Sequence, residues 1–233
     1  MKAVYKRVLL KLSGEALGDS GSGIDEKKVL AVLSEIRTVH ELGVEVAIVV
    51  GGGNFWRGRT SGSIERATAD SMGMLATVMN ALALTDIFSS NGLKTKMFSA
   101  LDISGVCEVF NNKRAIEELE NGNVVIFGGG TGRPFFSTDT AAALRAAEIH
   151  ADMILSAKNV DGIYDSDPKT NPAAVKYDTL TYQEILEKNL KAIDTTAAAL
   201  CMDFSIPQAV FSLNEEGNIL KNVCGENTGT FIK

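Results

Sequence analysis

The chain has 233 residues, which at ~150 residues per domain allows one domain or two small ones. Hydrophobic residues make up 45% and charged residues 22%, a globular balance that excludes wholesale disorder. The net charge of −6 argues against a general nucleic-acid binder, two histidines (His40, His150) are too few for a multi-histidine metal site, and Cys107, Cys201 and Cys224 fit no zinc spacing and read as reduced thiols.

Strand and helix signals alternate along the whole chain. Val4 to Leu12 reads as a strand, and the charges of Lys6, Arg7 and Lys11 within it argue against a signal peptide. Val29, Val32, Leu33, Ile36 and Val39 recur at helical spacing, predicting a helix from Asp25 to Leu42 with Asp25 as cap and Gly43 as stop. Val44 to Val50 is nearly all apolar, as a strand covered on both faces should be. A long helix is expected from Arg66 to Ser90, stopped by Asn91-Gly92. A strand at Lys94 to Ser99, a helix at Lys113 to Glu120 and a strand at Val124 to Phe127 follow. Next come a helix at Asp139 to His150 and a strand at Met153 to Ser156. A short β excursion then spans Asp161 to Pro168. The last third predicts helices at Tyr182 to Lys188, Thr195 to Met202 and Glu216 to Cys224, with strands at Gln208 to Phe211 and Gly229 to Ile232. No unbroken run approaches ~18 apolar residues, so no membrane span is expected. The alternation predicts an α/β fold: a three-layer α/β/α sandwich on a mostly parallel sheet, in one domain over residues 1–233. Ligands of such sheets bind at the carboxyl ends of the strands, where strand order switches.

Four segments at those ends carry candidate chemistry. In LLKLSGEA, Lys11 precedes Ser13-Gly14, a point charge beside flexible backbone N–H groups, which suits a polyphosphate; an exposed lysine beside an ordinary turn is the bland alternative. In VVGGGNFWRG, three glycines end a strand and Arg57 offers a bidentate fork for a phosphate; Trp56 reads as packing or as a base platform. In FGGGTGRPFFSTDTAA, a second glycine triplet is followed by hydroxyls, by Phe135-Phe136 and by Asp139, which reads as a helix cap, as the holder of a catalytic lysine, or as both. In SAKNVDGIYDSDP, Lys158-Asn159 end a strand, and Tyr164 and Asp167 offer an aromatic and a carboxylate to a nucleoside. No G-x-x-x-x-G-K-[ST] loop occurs, and the GSG at 21–23 lacks a nucleophile elbow. A site for two phosphorylated groups, outside the P-loop architecture, is the most economical reading.

These segments resemble the bacterial-type uridylate (UMP) kinases of the amino-acid kinase superfamily. The similarity runs through YKRVLLKLSGEAL (5–17), VVGGGNFWRG (49–58), DSMGMLATVMNALAL (70–84), GTGRPFFSTDTAAALRA (130–146), VDGIYDSDP (160–168) and LTYQEIL (180–186). The resemblance implies ATP-dependent phosphorylation of UMP to UDP in pyrimidine nucleotide biosynthesis. It gives the N-terminal part mainly to UMP and the C-terminal part mainly to ATP. Catalytic roles fall to Lys11 and Asp139, with Lys11 stabilising charge on the transferred group. ATP would meet Lys11, Leu12, Ser13, Gly14, Gly53, Arg57, Asn159, Tyr164 and Asp167. UMP would meet Gly52, Asp70 (through its ribose), Thr131, Gly132, Arg133, Pro134, Phe135, Phe136, Ser137 and Thr138. Mg²⁺ is expected with ATP. A GTP-responsive segment corresponds to Gly18, Asp19, Ser20, Gly21, Ser22 and Gly23. Some relatives carry basic residues where this chain has Thr85 and Asn123, which leaves GTP activation an open expectation. UTP is expected to inhibit at the UMP site. Met74, Leu75, Val78, Met79 and Leu82 form an apolar stripe, read as core, as part of the contact of a homo-hexamer, or as both. A cytoplasmic enzyme without membrane or nucleic-acid partners is implied. The alternatives are a superfamily cousin acting on a carboxylate or carbamate, and a nucleotide-sensing or molybdate-storing protein on the same fold.

Overall fold

The computed structural model describes residues 2–19, 23–56, 63–168 and 170–233. In chain order the strands are β1 (Arg7–Leu12), β2 (Glu45–Val50), β3 (Thr95–Ser99), β4 (Glu108–Val109), β5 (Val124–Gly128), β6 (Met153–Lys158), β7 (Ile163–Tyr164), β8 (Lys176–Tyr177), β9 (Thr179–Leu180), β10 (Gln208–Ser212) and β11 (Thr230–Ile232). The helices are α1 (Glu26–Glu41), α2 (Arg66–Ser90), α3 (Asn112–Glu120), α4 (Thr138–Glu148), α5 (Tyr182–Glu187), α6 (Thr195–Asp203) and α7 (Asn218–Val223). A single 3₁₀ turn, Gly14–Ala16, follows β1.

Nine strands form one sheet in the order β4-β3-β5-β2-β1-β6-β10-β11-β9, parallel except for the β10–β11 pair, while β7 and β8 make a separate antiparallel ribbon. The expected α/β/α sandwich is therefore borne out. The two-residue strands β4, β8 and β9 were not predicted, being too short to carry a period. β1 sits between β2 and β6, so successive units build outwards on opposite sides of it, and β1 is the switch point of the sheet.

Side-chain alternation divides the core in two. Val8, Leu10 and Leu12 of β1 join Val46, Ile48 and Val50 of β2 under α1, α2 and α7. Leu9 joins Ala47, Val49 and the alanine-rich α4 on the other face, with α3, α5 and α6. Lys11 shares the parity of Leu9 and so projects to the α4 face.

Helix ends follow the expected chemistry at α1, where Asp25 accepts the N–H groups of Lys27 and Lys28 and Gly43 takes φ +81°. At α4 the cap is Ser137, whose hydroxyl accepts from the Asp139 and Thr140 amides, and Asp139 lies inside the first turn. The cap reading of Asp139 is thus corrected, and its carboxylate is left for another partner. By length and composition α2 is long and apolar enough to cross a membrane, the one such helix among the described residues. It reaches that threshold as an average rather than as an unbroken run, and its Val78, Ala81, Leu84 and Phe88 are buried in the core beneath the sheet. The apolar stripe of α2 splits: Val78 is core, whereas Leu75, Met79 and Leu82 are exposed. All three cysteines are free.

Candidate active site

Because β1, β2, β5 and β6 run parallel in register, their carboxyl ends lie side by side. Lys11 pairs with Val49 and Ser156, Val49 pairs with Phe127, and Lys158 is the last residue of β6. The first turn of α4 crosses this edge. There the Lys11 ammonium lies 2.7 Å from Asp139 Oδ1, and Lys158 Nζ lies 3.7 Å from Asp139 Oδ2. The Lys11 contact is a close, charge-assisted ion pair. Burial raises the Asp139 carboxyl, but the two ammonium groups outweigh it and hold the group below the usual carboxylate range. Burial pushes Lys158 below the ordinary lysine value against the attraction of Asp139, and the like charge of Lys11 adds to the depression. Lys158 also donates to the carbonyl of Ala192.

Two glycine loops flank this cluster. Gly14 packs so closely on the loop after β2 that a Cβ there would collide with the Gly53 nitrogen and stand 2.7 Å from Asn54 Oδ1, so only glycine fits. The N–H groups of Gly52, Gly53 and Asn54 meet no acceptor among the described residues. After β5, Gly129 and Gly130 take φ +78° and +58°, and the Gly129 amide is held by the Thr77 hydroxyl of α2.

Between these loops and α2 lies a cleft of about 500 Å³. Eight of the residues predicted for UMP line it: Gly52, Asp70, Thr131, Arg133, Phe135, Phe136, Ser137 and Thr138. Gly132 and Pro134 belong to the same loop without lining the cleft, and Gly53 and Trp56 line it as well. Trp56 anchors its indole N–H on the Ala69 carbonyl at 2.9 Å. Asp70 accepts from Arg66 Nε at 2.9 and 2.8 Å and from the Phe135 amide at 2.8 Å, and Arg66 lies over the Phe135 ring. That amide is presented by a left-handed backbone, φ +74°, at an exposed phenylalanine, a local strain of the kind stored at ligand sites.

On the other side, the Asn159 amide donates to Glu15 at 3.0 Å and lines a second cavity, of about 490 Å³, with Glu15, Asp19, Lys28 and Glu35. Tyr164 donates to Asp161 at 2.8 Å, and the Asp167 carbonyl accepts from Thr170 and Asn171; neither residue lines either cavity. Arg57, Ser20, Gly21 and Ser22 lie outside the described residues.

Sequence reasoning left three contributors unassigned. Lys158 was seen only as a strand end. Arg66, one helical turn before Asp70, fits an i,i+4 ion pair that the spacing alone signals. Asp194 caps α6 and also accepts the hydroxyls of Ser137 and Thr140, joining the first turns of two helices at the cleft. Nothing local in the sequence points to that bridge.

Two lysines on one largely buried carboxylate, flanked by glycine loops at the switch point of a parallel sheet, leave a net positive charge at the strand ends. The chain belongs to the amino acid kinase family, whose model matches residues 6–218. Among solved structures it is similar to a UMP kinase from Bacillus anthracis, at 39% identity and a TM-score of 0.95 over 98% of this chain and 96% of that one. It is similar also to a UMP kinase from Ureaplasma parvum (37%, TM-score 0.92, all of both chains). A uridylate kinase from Archaeoglobus fulgidus matches at 31% and a TM-score of 0.75, over 97% and 99% of the two chains.

Proposed function

We propose that this chain transfers the γ-phosphoryl group of ATP directly to UMP, giving UDP and ADP. The observation that carries the reading is the Lys11–Asp139–Lys158 cluster beside the 500 Å³ cleft, in a chain similar from end to end to UMP kinases. A UMP phosphate oxygen attacks the γ-phosphorus as the bond to the bridging β–γ oxygen breaks. The two ammonium groups offset the charge on the equatorial oxygens. No general base is required, because the attacking oxygen is already anionic. Asp139, held ionised by two lysines, is suited to fixing them rather than to taking a proton.

In this reading UMP occupies the cleft, with Asp70 on its ribose, the 131–138 loop around its base and Gly52 at its phosphate. ATP meets Lys11, Leu12, Ser13, Gly14, Gly53 and Arg57, with Asn159, Tyr164 and Asp167 on its nucleoside side. The whole chain works as one domain, the N-terminal part mainly for UMP and the C-terminal part mainly for ATP. Among the described residues no group of three or more acidic, His or Cys side chains is placed to hold a metal, and Asp139 is committed to lysines. Mg²⁺ would arrive on ATP oxygens and waters and would supply charge neutralisation of the phosphates. The exposed Leu75, Met79 and Leu82 suit the contact of a homo-oligomer, a hexamer by family resemblance. UTP competing at the UMP site, GTP acting through residues 18–23, a place in pyrimidine biosynthesis and a cytoplasmic location complete the proposal. A coupled ADP-release assay over UMP, CMP, glutamate derivatives and carbamate tests it. Turnover with UMP is expected, and turnover with a carboxylate or carbamate instead would overturn it.

A further inference from the structure

Two asparagines, Asn54 after β2 and Asn80 in the middle of α2, are fully buried. Their amides face each other reciprocally: Asn54 Nδ2 donates to Asn80 Oδ1 at 2.9 Å, and Asn80 Nδ2 donates to Asn54 Oδ1 at 2.7 Å. Each amide has one N–H left. That of Asn80 goes to the Gly51 carbonyl at 2.7 Å, and that of Asn54 to the Gly23 carbonyl at 2.9 Å. All four N–H donors of the pair are therefore used, with no water needed. A leucine–alanine contact would bury the same space without the desolvation cost of two amides. What the pair adds is geometry. It fixes the Gly51 carbonyl to α2 and, with Gly14 packed against Gly53 and Asn54, joins the loop after β1 to the loop after β2. The N–H groups of Gly52 and Gly53, which meet no acceptor among the described residues, lie on the stretch so held, and both residues line the cleft.

We propose that Asn54 and Asn80 are positioning residues for phosphoryl transfer, acting through the Gly52 and Gly53 amides and setting the distance of those amides from Lys11. The proposal rests on the transfer reading above. A misplacement of about 1 Å in a reacting group can cost on the order of 10²-fold in rate, so a loosened loop shows in kinetics well before the fold fails. The two asparagines act as one unit, since losing either breaks the closed pair.

The test compares Asn54→Ser, Asn80→Ser and the double variant with Asn222→Ser, at a temperature where circular dichroism shows every protein folded. Asn222, on α7, is also buried, donates to the Asn218 carbonyl and the Thr228 hydroxyl, and lines no part of the cleft. Steady-state rates with UMP and Mg-ATP should give kcat/KM for UMP lowered at least about tenfold in each single site variant. Asn222→Ser should stay within about twofold of wild type, and the double variant should be no worse than about threefold below the poorer single. Site variants within about twofold of wild type, or falling no further than Asn222→Ser, would overturn the proposal. If Asn80→Ser does not fold, Asn54→Ser decides, because it leaves the Asn80 bond to Gly51 available. A wild-type protein that makes no UDP would overturn the transfer reading and this proposal together. An active wild type with unaffected variants overturns this proposal alone.

Discussion

Asp139→Asn removes one charge and leaves the Lys11 and Lys158 ammonium groups without their shared counter-charge. At an effective dielectric of ~20, the Asp139 pairs with Lys11 at 2.7 Å and Lys158 at 3.7 Å are each worth roughly 5 kcal/mol before solvation is counted. The net cost of stripping the partner from a buried ion pair is smaller, about 3–5 kcal/mol, so the midpoint of thermal unfolding should fall by roughly 10 °C. The kinetic effect is expected to be larger than this alone implies. With the carboxylate gone the group that joins the two donors at the transferred group is lost, and kcat should drop ~10²–10³-fold with little change in KM for UMP. The pH profile supplies the sign. Lys158 is already depressed by burial and is held up mainly by Asp139, so without that attraction it loses its proton at lower pH. The alkaline limb of kcat therefore moves towards neutrality in the variant. Stability follows the opposite group: a depressed Asp139 stabilises the fold above the ordinary carboxylate pKa and loses that contribution as pH falls through its folded value, so the variant should be less sensitive to acid than wild type. Coupled ADP release at saturating UMP and Mg-ATP, across about pH 6–10, measures the fall in kcat and the shift of its alkaline limb, and thermal unfolding followed into the acid range measures the stability effect. A folded variant with kcat within about threefold of wild type and an unmoved alkaline limb would refute the assignment of Asp139 as organiser of the two lysines.

Lys11→Ala should lose ~10²–10³ in kcat while UMP affinity, read by calorimetry, changes little; near-normal kcat would reduce Lys11 to a strand-end charge. Asp70→Asn should raise KM for UMP by roughly tenfold and leave KM for ATP within about twofold, since an amide offers one acceptor oxygen where the carboxylate offers two; equal effects on both nucleotides would place the ribose elsewhere. UMP should be preferred over CMP by about 10² or more in kcat/KM, because uracil and cytosine reverse donor and acceptor at two positions and each buried mismatch costs ~1–3 kcal/mol. Comparable values would favour a general pyrimidine monophosphate kinase.

The order of strands and helices was legible because each long element carries its own period and punctuation. α1 shows this with five buried aliphatics at helical spacing between Asp25 and Gly43. The glycine loops were legible too, since triplets after apolar strands have few other uses. What stayed hidden depends on tertiary crossing. Lys158 meets Asp139 because β6 lies beside β1 while α4 passes over both, and no spacing along the chain encodes that. Asn54 and Asn80 are 26 residues apart and look like polar residues of a loop and a helix face until the fold closes them into a pair. Of the two roles open to Asp139, the cap goes to Ser137, because α4 already begins at Thr138 and the Ser137 hydroxyl takes the Asp139 and Thr140 amides. Asp194 looks local and proves to be a bridge.

The most direct measurement is the fate of the γ-phosphoryl group itself. With γ-labelled ATP, Mg²⁺, UMP and catalytic amounts of the wild-type protein, the label should appear in UDP, one for each ADP formed, with none retained on the protein. Label released only as inorganic phosphate, held covalently by the chain, or passed to a carboxylate or carbamate but not to UMP would contradict the account.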